Sequence, residues 1–205
     1  MQLFTKTHAQ TPKHVGIVLQ GLREDLGQRV EQWVETAIKL KIPVLTVLVP
    51  TDTDEAVGKF VHALSSWQGI TKYQVKISVL GRWYAVSDHA MQLIKQAFEK
   101  TKDYDGFFLN LCVNYDGQQE IVNSCKILAT QVQSGKIDAS AINESIVKEN
   151  LFTSNFMPPE VIIVTGAEHC LQNFLLWDCG MARIVFTDKH WEKMTAKEFG
   201  KIVSR

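Results

Sequence analysis

Residues 14–27 read HVGIVLQGLREDLG. An apolar run ends in Gln20 and Gly21, and a charged loop follows. A buried strand that closes on a glycine turn just before a helix is a common place to hold a phosphate, because backbone N–H groups and the positive helix end meet there. The side chains at this turn are mixed. Arg23 is the nearest cation, while Glu24 and Asp25 would repel a diphosphate unless a metal intervened. A solvated loop arginine is the plainer reading of Arg23, and a structural residue is the plainer reading of the strand-end His14. Two later segments also set polar groups beside apolar runs, LNLCVNYDGQQEI (109–121) and VTGAEHCLQNF (164–174). In them Asn114 either contacts a ligand or closes the turn after its strand, and Glu168 adds a carboxylate. Cys112, Cys125, Cys170 and Cys179 form no C-x-x-C pair, and the six histidines show no metal-binding spacing. Reduced, mostly buried thiols and no metal site are expected.

These groups need elements to position them. The 205 residues are 45% hydrophobic and 21% charged, which fits one globular domain over 1–205 with a real core. With 22 basic against 22 acidic side chains there is no excess of charge to follow nucleic acid. No run reaches the ~18 apolar residues of a membrane span and the first residues lack a signal-peptide core, so a cytoplasmic, at most membrane-peripheral, protein is expected. Six Val/Ile-rich runs, at 14–20, 43–49, 74–80, 106–114, 160–165 and 183–187, read as strands buried on both faces. Helical spacing of apolar residues marks 27–40, 85–100 and 117–133, the last with Ile121, Val122, Cys125, Leu128, Ala129 and Val132 on one face. Asp138 is placed to cap a short helix, and Pro158-Pro159 to precede the fifth strand. The pattern predicts an α/β fold: a central parallel sheet of about six strands flanked by helices.

Near the C-terminus the chain reads QNFLLWDCGMARIVFTDKHW, from Gln172 to Trp191. On its own this is an apolar corner with a turn at Asp188. Together with Leu109, Asn110, Asn114, Tyr115, Gly117, Glu120 and Ile121 of the earlier segment, it resembles the cis-prenyltransferases, the undecaprenyl and dehydrodolichyl diphosphate synthases. Those carry L-N-x-x-x-N-Y-G-G-R-x-E-I, then S-N-F-L-L-W-Q, Y-A-E-L-Y-F-T-D and L-W-P. The resemblance runs from about His14 to Trp191. It implies the sheet above, a tunnel for a growing isoprenoid, and dimerisation through the C-terminal corner, with Asn173, Trp177, Arg183, Asp188 and Trp191 as interface candidates.

The charged chemistry of the resemblance is largely missing. Active members open with H-x-x-x-x-M-D-G-N-x-R-W, whose aspartate organises Mg²⁺ on the diphosphate. Here His14 and Gly21 fit and Arg23 stands one place before the motif's arginine, but the aspartate position is Gln20. The family's R-T-S-G-E-x-R-L-S-N-F has become VTGAEHCLQNF. Val164 and Cys170 replace both arginines, and Glu168 stays. Asp116 replaces the first glycine of the pair, Gln118 the following arginine, and Arg183 the glutamate of Y-A-E-L-Y. Losing two guanidinium groups removes on the order of several kcal/mol of charge-assisted binding. His14, Gly21, Arg23, Asn114 and Glu168 are the remaining substrate-binding candidates; no catalytic or metal residue is assigned. The pattern is similar to the non-catalytic subunits of two-component enzymes, of the Nogo-B receptor type, although a membrane anchor and the terminal R-x-G segment are not seen. It implies a partner subunit of a heteromeric cis-prenyltransferase making long-chain polyprenyl diphosphate, with Mg²⁺ expected in the catalytic partner and no cofactor in this chain. Two other readings stand beside it. One is a divergent active synthase using Glu168, Glu24 or Asp25 as metal ligands. The other is an isoprenoid-binding homodimer, with Leu93, Phe98, Phe107 and Phe108 either lining a tunnel or filling core.

Overall fold

The computed structural model describes residues 11–21, 25–50 and 53–204. Six strands, β1 (His14–Val18), β2 (Val44–Leu48), β3 (Val75–Leu80), β4 (Phe107–Cys112), β5 (Val161–Thr165) and β6 (Arg183–Thr187), form one sheet in the order β3-β4-β2-β1-β5-β6. Every pairing is parallel. All residues of β1, β2 and β5 are buried, whereas β6 at the sheet edge is only partly covered. Continuous apolar strands are what two covered faces require. The expected α/β sheet of six strands is therefore present.

The helices are α1 (Leu26–Lys39), α2 (Asp54–Ser66), α3 (Gln68–Lys72), α4 (Asp88–Thr101), α5 (Gly117–Gln133), α6 (Glu144–Glu149) and α7 (Ala196–Val203). Alternation along each strand divides the core into two layers. Val15, Ile17, Leu45, Val47, Leu109, Leu111 and Ile163 face one layer with Trp33, Phe60, Ile94 and Phe199 from α1, α2, α4 and α7. Val18, Leu48, Cys112, Ile162 and Val164 face the other, with Tyr115, Phe174 and Leu175. Local chemistry starts the helices. Thr53, Ser87, Asp116 and Asn143 cap α2, α4, α5 and α6, and Thr195 with Glu198 forms a capping box on α7. Asp138 accepts from the Ser140 N–H at the start of a short 3₁₀ turn.

Three expectations are corrected. In α5 the buried stripe is Gly117, Glu120, Ser124 and Leu128, and Val122, Cys125 and Ala129 are exposed. The cause is Glu120, whose carboxylate accepts the Tyr115 hydroxyl and, at 2.8 Å, the Phe152 N–H. These bonds hold a polar stripe inward and turn the apolar one out. The thiols are free but only Cys112 is buried; Cys125 and Cys170 are exposed. Finally, Phe107 and Phe108 point to opposite faces of β4, as neighbours on a strand must, so they cannot line one cavity. Phe98 stacks edge-on against Trp83, with centroids 5.4 Å apart.

Candidate functional site

In a parallel sheet the carboxyl ends of the strands form the natural crevice for a ligand. Here the ends of β1, β5 and β6 meet there. Gly21 closes β1 with φ of 73°, a left-handed turn that glycine adopts without strain. The Thr165 hydroxyl donates to the Val18 carbonyl at 2.9 Å, fastening β5 to β1. Beyond it Gly166 has φ of 96°, and its N–H points to the carbonyls of Thr187 (3.0 Å) and Lys189 (2.9 Å). The Trp191 indole N–H donates to the carbonyls of Gln20 (3.0 Å) and Gly21 (2.9 Å). Gln20 donates from Nε2 to the Glu168 carbonyl at 2.8 Å.

The candidates fall into different places. Gly21 and Glu168 share this crevice, but the Glu168 side chain is exposed and only its carbonyl takes part. Arg23 and Glu24 lie outside the described residues. Asn114, at the end of β4 with φ of 46°, accepts from the Arg82 N–H through its carbonyl. It is two strands from β1, roughly 10 Å away. His14 begins β1, so it sits roughly 20 Å from the Gln20 end of that strand. It is buried, with Nδ1 2.6 Å from the Met157 carbonyl and Nε2 2.7 Å from the Thr46 hydroxyl. A carbonyl only accepts, so Nδ1 carries the proton and Thr46 donates to Nε2. Burial, opposed in part by the Met157 bond, pushes the imidazole down to about 4. His14 is thus a neutral core residue, away from any ligand crevice.

The interface candidates also divide. Trp191 is fully buried, and its indole N–H binds the Gln20 and Gly21 carbonyls at the crevice. Arg183 donates to the Ile202 carbonyl and ties β6 to α7. Asp188 contacts His169 at 2.9 Å, and both are exposed. Asn173 donates to Asp116 Oδ2 at 2.9 Å while Asp116 Oδ1 takes the Gln119 N–H, and these bonds hold that carboxyl below the usual range. Asp116, where the motif has glycine, is thus a helix cap. Gly117 has no such freedom: a Cβ there would lie 2.3 Å from the Asn173 carbonyl oxygen. Trp177 is half-buried, beside Met181, which is 96% exposed.

Residues 19–205 match the family model described as "Putative undecaprenyl diphosphate synthase". The chain belongs to the cis-prenyltransferase family. An isoprenyl transferase of Oceanobacillus iheyensis is 28% identical across 92% of this chain and 84% of its own length. A tritrans,polycis-undecaprenyl-diphosphate synthase (geranylgeranyl-diphosphate specific) of Methanocaldococcus jannaschii is 29% identical across 94% and 79%. The crystal structure of lavandulyl diphosphate synthase from Lavandula x intermedia, in complex with dimethylallyl diphosphate, superposes with a TM-score of 0.85 over 95% of this chain and 94% of that one, at 21% identity. That likeness shows the shared fold.

Mg²⁺ fits this cis-prenyltransferase chain poorly. It demands near-octahedral oxygen ligands, normally with one or two carboxylates. Gln20 offers an uncharged amide already bonded to Glu168. Among the described residues no group of three or more His, Cys, Asp or Glu converges to hold a metal ion. Val164, at an arginine position of the motif, is fully buried in the sheet, and Cys170 at the other is exposed and carries no guanidinium. Sequence reading placed Gln20 and Gly21 correctly as a turn at a strand end. It missed Gly166 and Trp191 as crevice residues; the glycine directly after an apolar strand was the available signal. No helix among the described residues is long and apolar enough to cross a membrane.

Proposed function

We propose that this chain is a non-catalytic partner subunit of a heteromeric cis-prenyltransferase making long-chain polyprenyl diphosphate, similar to the Nogo-B receptor type. The observation that carries this reading is Gln20. It stands where active members hold the metal-organising aspartate, and its carboxamide is committed to a backbone carbonyl. Diphosphate departure develops negative charge that cations and donors must neutralise. Two arginine positions of that set hold Val164 and Cys170, while the sheet and both core layers persist. The Mg²⁺ belongs to the catalytic partner.

The docking surface in this reading is the C-terminal corner. Met181 and Phe186 are exposed apolar side chains there, and the half-buried Trp177 lines one cavity with Met181. Leu176 packs over Gly117 at the start of α5. Exposed apolar surface of this kind marks association with another protein.

Purified chain is expected to make no polyprenyl product from farnesyl and isopentenyl diphosphates with Mg²⁺. Co-expressed with an aspartate-bearing homologue from the same genome, it is expected to co-purify and to raise that homologue's turnover. Chain elongation by this chain alone would overturn the reading and favour the divergent synthase that its relatives' names suggest.

A further inference from the structure

Gln20 does more than lack a charge. Its side chain lies directly over Gly166 in the loop after β5. A Cβ built on Gly166 would stand 2.1 Å from the Gln20 Oε1 and 2.6 Å from its Cδ. The missing side chain at 166 therefore makes the room in which the carboxamide sits. Its outer end is fixed by the 2.8 Å bond to the Glu168 carbonyl. Its own backbone carbonyl is fixed by the Trp191 indole. The Gly166 N–H is spent on the carbonyls of Thr187 and Lys189.

We propose that Gln20 is a built-in occupant of the crevice: its carboxamide fills the space over Gly166 that an oxygen-rich anion would enter, and clasps β1 to the loop after β5. This rests on the partner-subunit reading and gives it a physical device. The clasp links three strand ends, through Gln20 after β1, Gly166 after β5 and Trp191 after β6. A phosphate group entering there must displace the carboxamide and break its bond to Glu168. It would then face that freed carbonyl oxygen, an acceptor that offers no proton to an anion. The closed geometry is thereby intrinsic to the folded chain and independent of ligand.

Backbone hydrogen exchange on the full chain tests this, with inorganic pyrophosphate and Mg²⁺ as the probe. In the native protein, pyrophosphate is expected to leave exchange at residues 166–169 unchanged. The Gln20→Ala variant is expected to raise exchange of the Gly166 amide, which donates to the Thr187 and Lys189 carbonyls, by about tenfold or more while Val161–Val164 stay protected, because only the local clasp is released. Gln20→Glu keeps the side-chain length but loses the Nε2 donor, and serves the same comparison if Gln20→Ala does not fold. Protection of residues 166–169 by pyrophosphate in the native protein would overturn the proposal. So would exchange in the folded variant that matches the native protein. An inactive native chain with an unchanged variant would remove the clasp and leave the partner reading standing.

Discussion

Burial keeps the His14 imidazole neutral in the fold, at about 4, against an ordinary value of 6.5. Between these values the unfolded chain binds a proton that the folded chain refuses. Stability is therefore fully present above about pH 6.5 and falls as pH drops towards about 4, by an amount on the order of 3 kcal/mol. Glu120 works in the opposite sense, because burial raises its carboxyl. The comparison that isolates His14 is therefore the urea midpoint of native protein against His14→Gln across that range. The variant is expected to show a shallower fall, and equal slopes would contradict the assignment. The same neutral histidine shows what sequence can and cannot supply at this scale. A histidine opening an apolar strand is legible as a residue of interest. Its tautomer and burial depend on Thr46 and Met157, which are 32 and 143 residues away in the chain.

At the scale of elements, the closest approach is the crossing of α2 and α4. A Cβ on Gly58 would lie 2.8 Å from the Ala90 Cα and 3.3 Å from a Leu93 methyl. Backbone cannot yield as a long side chain can, so Gly58→Ala is expected to destabilise by about 1–2 kcal/mol despite alanine's better helix propensity. Gly27 in α1 has its nearest neighbour atom at 3.9 Å, so Gly27→Ala is expected to be neutral or to stabilise by up to about 1 kcal/mol. Paired urea titrations decide both signs. A second element contact is the ion pair of Lys148 on α6 with Asp178 at the corner, at 2.7 Å, with the Thr153 hydroxyl 2.6 Å from the same carboxylate. Removing the acid leaves a largely covered ammonium unpaired, so Asp178→Ala is expected to lose on the order of 3 kcal/mol in the same assay.

The elements themselves were mostly readable. Strands buried on both faces announce themselves as continuous Val/Ile runs, and α5 begins and ends at the residues its period marks. Which side of α5 faces inward was not readable, because a buried carboxylate outbids valine once Tyr115 and the Phe152 N–H stand ready to bond it. Nor was the inward position of Trp191, which depends on carbonyls some 170 residues earlier in the chain.

For the whole molecule, the question is what covers the C-terminal corner. Met181 is 96% exposed, and Phe186, 43% exposed, rests against the exposed His169 ring with centroids 5.3 Å apart. Met181→Glu and Phe186→Glu are expected to leave folding stability within about 0.5 kcal/mol of native. They are expected to weaken association with a partner, or with a second copy, by more than about tenfold. Sedimentation velocity at matched concentrations reads that loss. The measurement that bears most directly on the central claim is prenyl transfer with radiolabelled isopentenyl diphosphate and Mg²⁺, run with this chain alone and with an aspartate-bearing homologue. The account predicts no polyprenyl product from the chain alone and more product from the pair than from the homologue. Polyprenyl product from the chain alone would contradict it.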